Sequence, residues 1–151
     1  MLKQGEKVNN FCLNDQFGSQ HCLHDYLGKK IIIYFYPKDG TPACTSQACA
    51  FRDDYQAFLD RNIVVFGISR DSVKSHLKFS TNHQIPFILL SDEGLHIADQ
   101  FGVKIQKSMF GKSYFTNSRT TFIINEQGII QRVYEKASPL ENASEILRDL
   151  N

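Results

Sequence analysis

Apolar positions along the chain follow two alternating rhythms. Near the N-terminus "NNFCLND" and "SQHCLHD" flank the turn "QFGS", which predicts a hairpin of two short strands. "KKIIIYFY" is an unbroken run of β-formers that stops at Pro37, the pattern of a strand buried on both faces. Beyond the loop "PKDGTP" the rhythm becomes helical, predicting an amphipathic helix from roughly Pro42 to Asp60 with an apolar stripe of Ala48, Phe51, Tyr55, Phe58 and Leu59. "NIVVFGIS" repeats the buried-strand pattern. "RDSVKSHLKFSTNH" reads as a helix capped near Asp71 or Ser72, "IPFILLSD" as a short strand, and "DEGLHIADQFG" as a short helix that Gly102 ends. Val103 to Ser118 reads as a loop of unusual length. "RTTFIIN" and "GIIQRVYE" form a second hairpin around "EQG". "SPLENASEILRDL" is a closing helix, with Ser138, Pro139 and Glu141 placed for a capping box.

Strand–helix alternation over the first two-thirds of the chain implies parallel strands with helices on their faces, to which the closing hairpin adds antiparallel strands. The expected fold is α/β and thioredoxin-like: a mixed central sheet flanked by helices, with an N-terminal β-hairpin. No repeat, linker or low-complexity tract divides the 151 residues, so one domain spanning 1–151 is expected.

Charge and composition narrow the partners. The formal net charge of +1 gives no general pull toward nucleic acid or an anionic membrane, and neither is expected as a partner. "MLKQGEKVNNF" has no apolar core of a signal peptide, and "IIIYFY" is too short to span a bilayer. The expected compartment is the cytoplasm. A cysteine pair there is more often catalytic or metal-binding than structural.

The candidate chemistry lies in "YFYPKDGTPACTSQACAFRDDY". Pro42 suits the first helical position, which makes Thr41 the N-cap and puts Cys44 in the first turn. Free N–H groups and the positive end of the helix dipole favour an anion there, and a thiolate is the reactive form of cysteine. Cys49 is five residues on, roughly 140° around the helix and about 7.5 Å along it, so the two Cα atoms stand about 8.6 Å apart. A disulfide needs less than about 7 Å. These thiols cannot join while the helix is intact. Spacing alone leaves Cys44 open between a reactive thiol and a buried apolar one.

The pattern "FYPKDGTPACTSQAC", together with "SRTTFIIN", "LLSDEG" and "FGV", resembles the Q-type peroxiredoxins, the bacterioferritin comigratory protein group. Pro37, Thr41 and Cys44 stand at that family's P-x-x-x-T-x-x-C spacing, and the resemblance covers nearly the whole chain, about Gly5 to Leu150. It implies a thioredoxin-dependent thiol peroxidase. Cys44 would attack a hydrogen peroxide or organic hydroperoxide and become a sulfenic acid. Cys49 would then condense with it to an intramolecular disulfide, and thioredoxin or a similar dithiol would reduce that bond. Thr41 would hydrogen-bond the thiolate or the peroxide, Arg119 would stabilise the charges, and Pro37 would wall the pocket. No cofactor or metal is implied, and a monomer is expected. Two positions depart from the family's habit: Ala43 replaces a common Gly, and Asn9 a common Pro.

Plainer readings stand beside these. Thr41 could be only an N-cap, Arg119 could pair with a surface carboxylate, and Pro37 could simply end a strand. Cys49 could be a packing residue. Cys12 and Cys22 lie on opposite arms of the first hairpin and are expected to be small buried thiols, although a cross-strand bridge is imaginable. "HCLH" beside Cys12 hints at a metal without the spacing of a zinc motif. His76, His83 and His96 are expected on helix surfaces, and Arg52 as a solvated helix residue. A thioredoxin-type oxidoreductase and a redox sensor are the rival functions; the first lacks C-x-x-C.

Overall fold

In the computed structural model, which describes residues 1–150, the first alternating segments pair as β1 (Cys12–Asn14) and β2 (Gln20–Cys22). Asn151, the end of the expected domain, lies outside the described residues. The antiparallel register sets Cys12 directly opposite Cys22, and their sulfurs are bonded. This corrects the expectation of buried thiols: Cys12 is exposed, and the pair closes the hairpin covalently. The two sulfurs hold each other, while the His21 ring bonds Asp15 and Tyr26.

The apolar run becomes β3 (Lys30–Phe35). Successive side chains of a strand point to opposite faces, so Ile32, Tyr34 and Tyr36 enter one core and Ile31, Ile33 and Phe35 the other. That division explains why the run shows no polar alternation. α1 (Pro42–Asp53) and α2 (Tyr55–Asp60) follow, then β4 (Ile63–Ser69), α3 (Val73–His83), β5 (Ile88–Ser91) and α4 (His96–Phe101). The helix expected from Pro42 to Asp60 is therefore two helices, broken at Asp54, and Leu59 of the expected stripe is exposed. Ser72 caps α3 by accepting from the Ser75 N–H, as the sequence predicts.

Residues expected to form a long loop form a hairpin, β6 (Lys104–Met109) with β7 (Lys112–Asn117). Phe110 and Gly111 turn it, both at positive φ. Most of β6 and the start of β7 are exposed, so no buried face wrote an alternation into the sequence. β8 (Thr120–Ile124) and β9 (Ile130–Tyr134) form the second expected hairpin. α5 (Asn142–Asp149) starts later than its capping-box signature suggests. The box does not form: the Asn142 N–H donates to the Ser138 carbonyl, and the buried Asn142 side chain accepts from Thr121 Oγ1.

The main sheet runs β2-β1-β5-β4-β3-β8-β9, with β3, β4 and β5 mutually parallel and the outer pairings antiparallel. Residues of α1, α3 and α5 enter the core on one face, and those of α4 the core on the other. This is the mixed α/β, thioredoxin-like architecture expected.

At the centre, Tyr34 stands beside Gly67 of β4 and stacks on Phe51 of α1, with ring centroids 4.7 Å apart and planes 11° from parallel. A Cβ on Gly67 would come within 2.7 Å of the Tyr34 ring. Glycine is what lets the ring lie that low and draws α1 onto the sheet.

Candidate active site

The loop after β3 is held from both sides. The Tyr36 N–H still donates to the Ile68 carbonyl, extending the parallel pairing one residue beyond β3. Pro37 has no N–H with which to continue it. From β7, Thr116 Oγ1 donates to the Pro37 carbonyl, and Asn117 Nδ2 donates to the carbonyls of Tyr36 and Ile68. Thr41 is the N-cap of α1 with Pro42 in its first turn, as expected. Its hydroxyl does not cap, however. Thr41 Oγ1 donates to the Lys38 carbonyl at 3.1 Å, leaving the hydroxyl's lone pairs free to accept and the first turn of α1 without a side-chain cap.

Cys44 lies in that first turn and is 1% exposed. Arg119 occupies the two-residue connection between β7 and β8 rather than a strand, and its carbonyl is fixed by the Ala137 N–H. Its Nη2 lies 3.4 Å from Cys44 Sγ. The planar guanidinium thus sets one of its N–H donors against the sulfur. Its Nη1 donates to Gln47 Oε1 at 2.7 Å. Sequence reasoning missed Gln47. The available signal was its place three residues after Cys44, on the same side of the helix. Gln47 is wholly buried, and its Nε2 has no partner among the described residues.

Cys49 is a free, partly exposed thiol, and α1 runs without a break through both cysteines. Pro37, Thr41, Cys44 and Arg119 thus converge on one end of the sheet, and Cys49 stands off on the same helix. Arg52 is less free than expected: its Nη1 donates to the His83 carbonyl, tying α1 to the end of α3.

A cleft of about 710 Å³ opens beside this cluster between the loop and the β6–β7 hairpin. Pro37, Thr41, Arg70, Met109, Tyr114 and Thr116 are among its walls, with the Arg70 guanidinium 5.4 Å from the centre of the Tyr114 ring. Another cleft, between Met1–Gln4 and β9, includes none of the expected site residues.

Behind the loop is a buried polar network. His76 is not on a surface, as expected from sequence; it is 0% exposed. His83 is half-buried and His96 exposed. His76 Nδ1 meets Asp39 Oδ2 at 2.7 Å, and Nε2 meets the Leu90 carbonyl at 3.1 Å. Asp39 also accepts from Tyr36 and Ser75 hydroxyls at 2.6 and 2.9 Å. Burial, and then the charge of Asp39, push the Tyr34 and Tyr36 phenols well above their ordinary range, so both stay neutral. Asp71 lies near enough for Asp39, Asp71 and His76 to surround one point, but its carboxylate already accepts from Ser69 Oγ and the Asp39 N–H. The cluster is satisfied by its own hydrogen bonds.

The sequence matches the AhpC/TSA family over residues 4–133. It is 42% identical over 146 residues to a putative peroxiredoxin bcp of Coxiella burnetii, covering 97% of each chain. It is 39% identical over 149 residues to peroxiredoxin Bcp of Bacillus subtilis, covering 99% of this chain and 95% of that one. Among solved structures, a cysteine-to-serine mutant of Xylella fastidiosa PrxQ superposes with a TM-score of 0.93 at 30% identity, over 99% and 96% of the two chains. A Xanthomonas campestris bacterioferritin comigratory protein, studied for alkyl peroxide reduction, gives 0.86 at 33% identity, over 93% and 89%.

Proposed function

The chain belongs to the AhpC/TSA family, in its Q-type peroxiredoxin group, and from that premise we propose that it is a thiol peroxidase working through Cys44. The observation that carries this assignment is the Arg119 guanidinium, 3.4 Å from a cysteine sulfur in the first turn of a helix. The thiolate attacks one peroxide oxygen, the O–O bond breaks, and water or an alcohol leaves after taking a proton. Cys44 is then a sulfenic acid. Arg119 stabilises the thiolate and the negative charge building on the leaving oxygen. The Thr41 hydroxyl, with its hydrogen given to Lys38, accepts from the protonated peroxide oxygen and orients it.

Cys49 resolves the intermediate. Its sulfur attacks the sulfenic sulfur, water leaves, and a Cys44–Cys49 disulfide forms. The geometry of an intact α1 forbids that bond, so the helix must open locally between the two residues. A thioredoxin-type dithiol then restores both thiols by exchange through a mixed disulfide. The cleft walled by Pro37 and the β6–β7 hairpin has room for an organic substituent, and alkyl peroxide reduction is described for the Xanthomonas campestris relative. Hydrogen peroxide and organic hydroperoxides are therefore the proposed substrates.

Among the described residues no helix is long and apolar enough to cross a membrane. A cytoplasmic monomer is the proposed state, and sedimentation of the reduced protein tests the monomer. The activity is tested by following peroxide consumption with thioredoxin, thioredoxin reductase and NADPH. Turnover is expected in the native protein and not in Cys44→Ser. Equal turnover in the two would overturn the assignment.

A further inference from the structure

We propose that Asp39 and His76 are positioning residues for the peroxidase reaction, a buried hydrogen-bonded pair that sets the orientation of Thr41. The proposal rests on the assignment of Cys44 as the peroxide-reducing thiol. It starts from a chemical oddity. Both ring nitrogens of His76 face oxygen acceptors, the Asp39 carboxylate and the Leu90 carbonyl. The carbonyl can only accept, and Asp39 already receives hydroxyl hydrogens from Tyr36 and Ser75. His76 Nδ1 also lies 3.5 Å from the Tyr36 hydroxyl, so ring, carboxylate and phenol form one closed hydrogen-bonded group. The side chains of His76 and Asp39 are 0% and 5% exposed.

A buried polar pair is a poor source of net stability, because desolvation offsets most of the attraction and apolar residues would serve as well. What it supplies is direction. Asp39 is tied to the end of β3 through Tyr36, to α3 through Ser75 and His76, and through His76 to β5. Its backbone N–H donates to Asp71 Oδ2 at 2.8 Å, just past β4. These are the parts of the fold that meet at this end of the sheet.

The connection to chemistry runs through one peptide group. The Asp39 N–H and the Lys38 C=O belong to the same planar unit. One end is held by Asp71; the other accepts the Thr41 hydroxyl hydrogen at 3.1 Å. Turning that plane would move the acceptor and with it the direction in which the Thr41 lone pairs point. The network thus decides which way Thr41 points without touching the peroxide.

The test is a double-mutant cycle on the second-order rate of Cys44 oxidation by hydrogen peroxide, using Asp39→Asn, His76→Gln, Thr41→Val and the paired variants. Asp39→Asn and His76→Gln are each expected to slow oxidation about 10- to 100-fold, the scale of a small misplacement at a reacting centre. In the Thr41→Val background the same changes should slow it less than about twofold, since no hydroxyl remains to be misaimed. Losses that multiply fully in that background would overturn the proposal and make the pair merely structural. If Asp39→Asn or His76→Gln fails to fold, Ser75→Ala removes a single bond to Asp39 and decides the same cycle. A native protein whose Cys44 does not react with peroxide would instead defeat the functional assignment itself.

Discussion

Gln47 and Arg119 share a 2.7 Å hydrogen bond, and that bond aims the other guanidinium nitrogen at the sulfur of Cys44. Gln47 is therefore expected to matter although it does not touch the peroxide. Gln47→Leu keeps the volume and removes the hold on Arg119. It should slow Cys44 oxidation about tenfold, while Arg119→Leu, which removes the charge, should slow it about 10²- to 10³-fold. Gln47→Leu should lower the melting temperature only modestly, because the cost of leaving the Arg119 Nη1–H without its acceptor is partly offset by removing a buried, unpartnered amide N–H. Rapid-mixing kinetics and thermal unfolding on the same samples check both statements.

Cys49→Ser separates the two halves of the cycle. The first equivalent of peroxide should be consumed at the native rate, and steady turnover with thioredoxin should fall at least tenfold. The sulfenic acid should persist long enough to be trapped by dimedone on Cys44. In the native protein, one equivalent of peroxide should yield a Cys44–Cys49 peptide by mass mapping and faster amide exchange from Pro42 to Phe51. Unchanged exchange there would show that α1 stays closed and that the resolving thiol lies elsewhere.

The Cys12–Cys22 bridge is expected to be separable from catalysis. β5 and β4 stand between its hairpin and β3. The paired change Cys12→Ser and Cys22→Ser should leave peroxide turnover within about twofold. It should lower stability by about 2–3 kcal/mol, the loop-closure value for cysteines ten residues apart. Denaturant titration and steady-state assay of that variant check the two parts independently.

Acid should loosen the same hairpin. Burial raises the carboxyl of Asp15, but its hydrogen bond to His21 and the N–H groups of Phe17 and Ser19 outweigh it, so the net direction is downward from 3.8. A carboxylate held low contributes stability above its unfolded value, and loses it as the pH falls through the folded one. Asp15→Asn should therefore be less stable than the native protein at pH 6. The gap should close toward pH 3, in melting curves taken across that range.

The sequence disclosed what local chemistry enforces. Pro37 ends β3 because it has no N–H, and Pro42 starts α1 for the same reason, so the place of Cys44 could be counted from the chain. Arg119 was reachable only through family resemblance, since it joins Cys44 across a separation of 75 residues. The 104–117 hairpin was hidden because much of it faces solvent and carries no burial pattern. His76 was hidden for a different reason. Its helix is mostly polar, and a histidine on such a helix reads as solvated; its burial depends on Asp39 arriving from another part of the chain. The capping box at Ser138 had the right residues in the right order, yet Thr121 draws the Asn142 side chain into the fold and the helix begins beyond the box.

Gly67 carries a final consequence. Tyr34 can rest against bare backbone only because position 67 has no side chain, and Phe51, on the same helix as Cys44, rests in turn on Tyr34. The altitude of the Cys44 sulfur over the sheet is thus measured from an omitted methyl group. An alanine there would jack up the whole stack, shifting Cys44 while Arg119, rooted in the β7–β8 connection, stayed where it was.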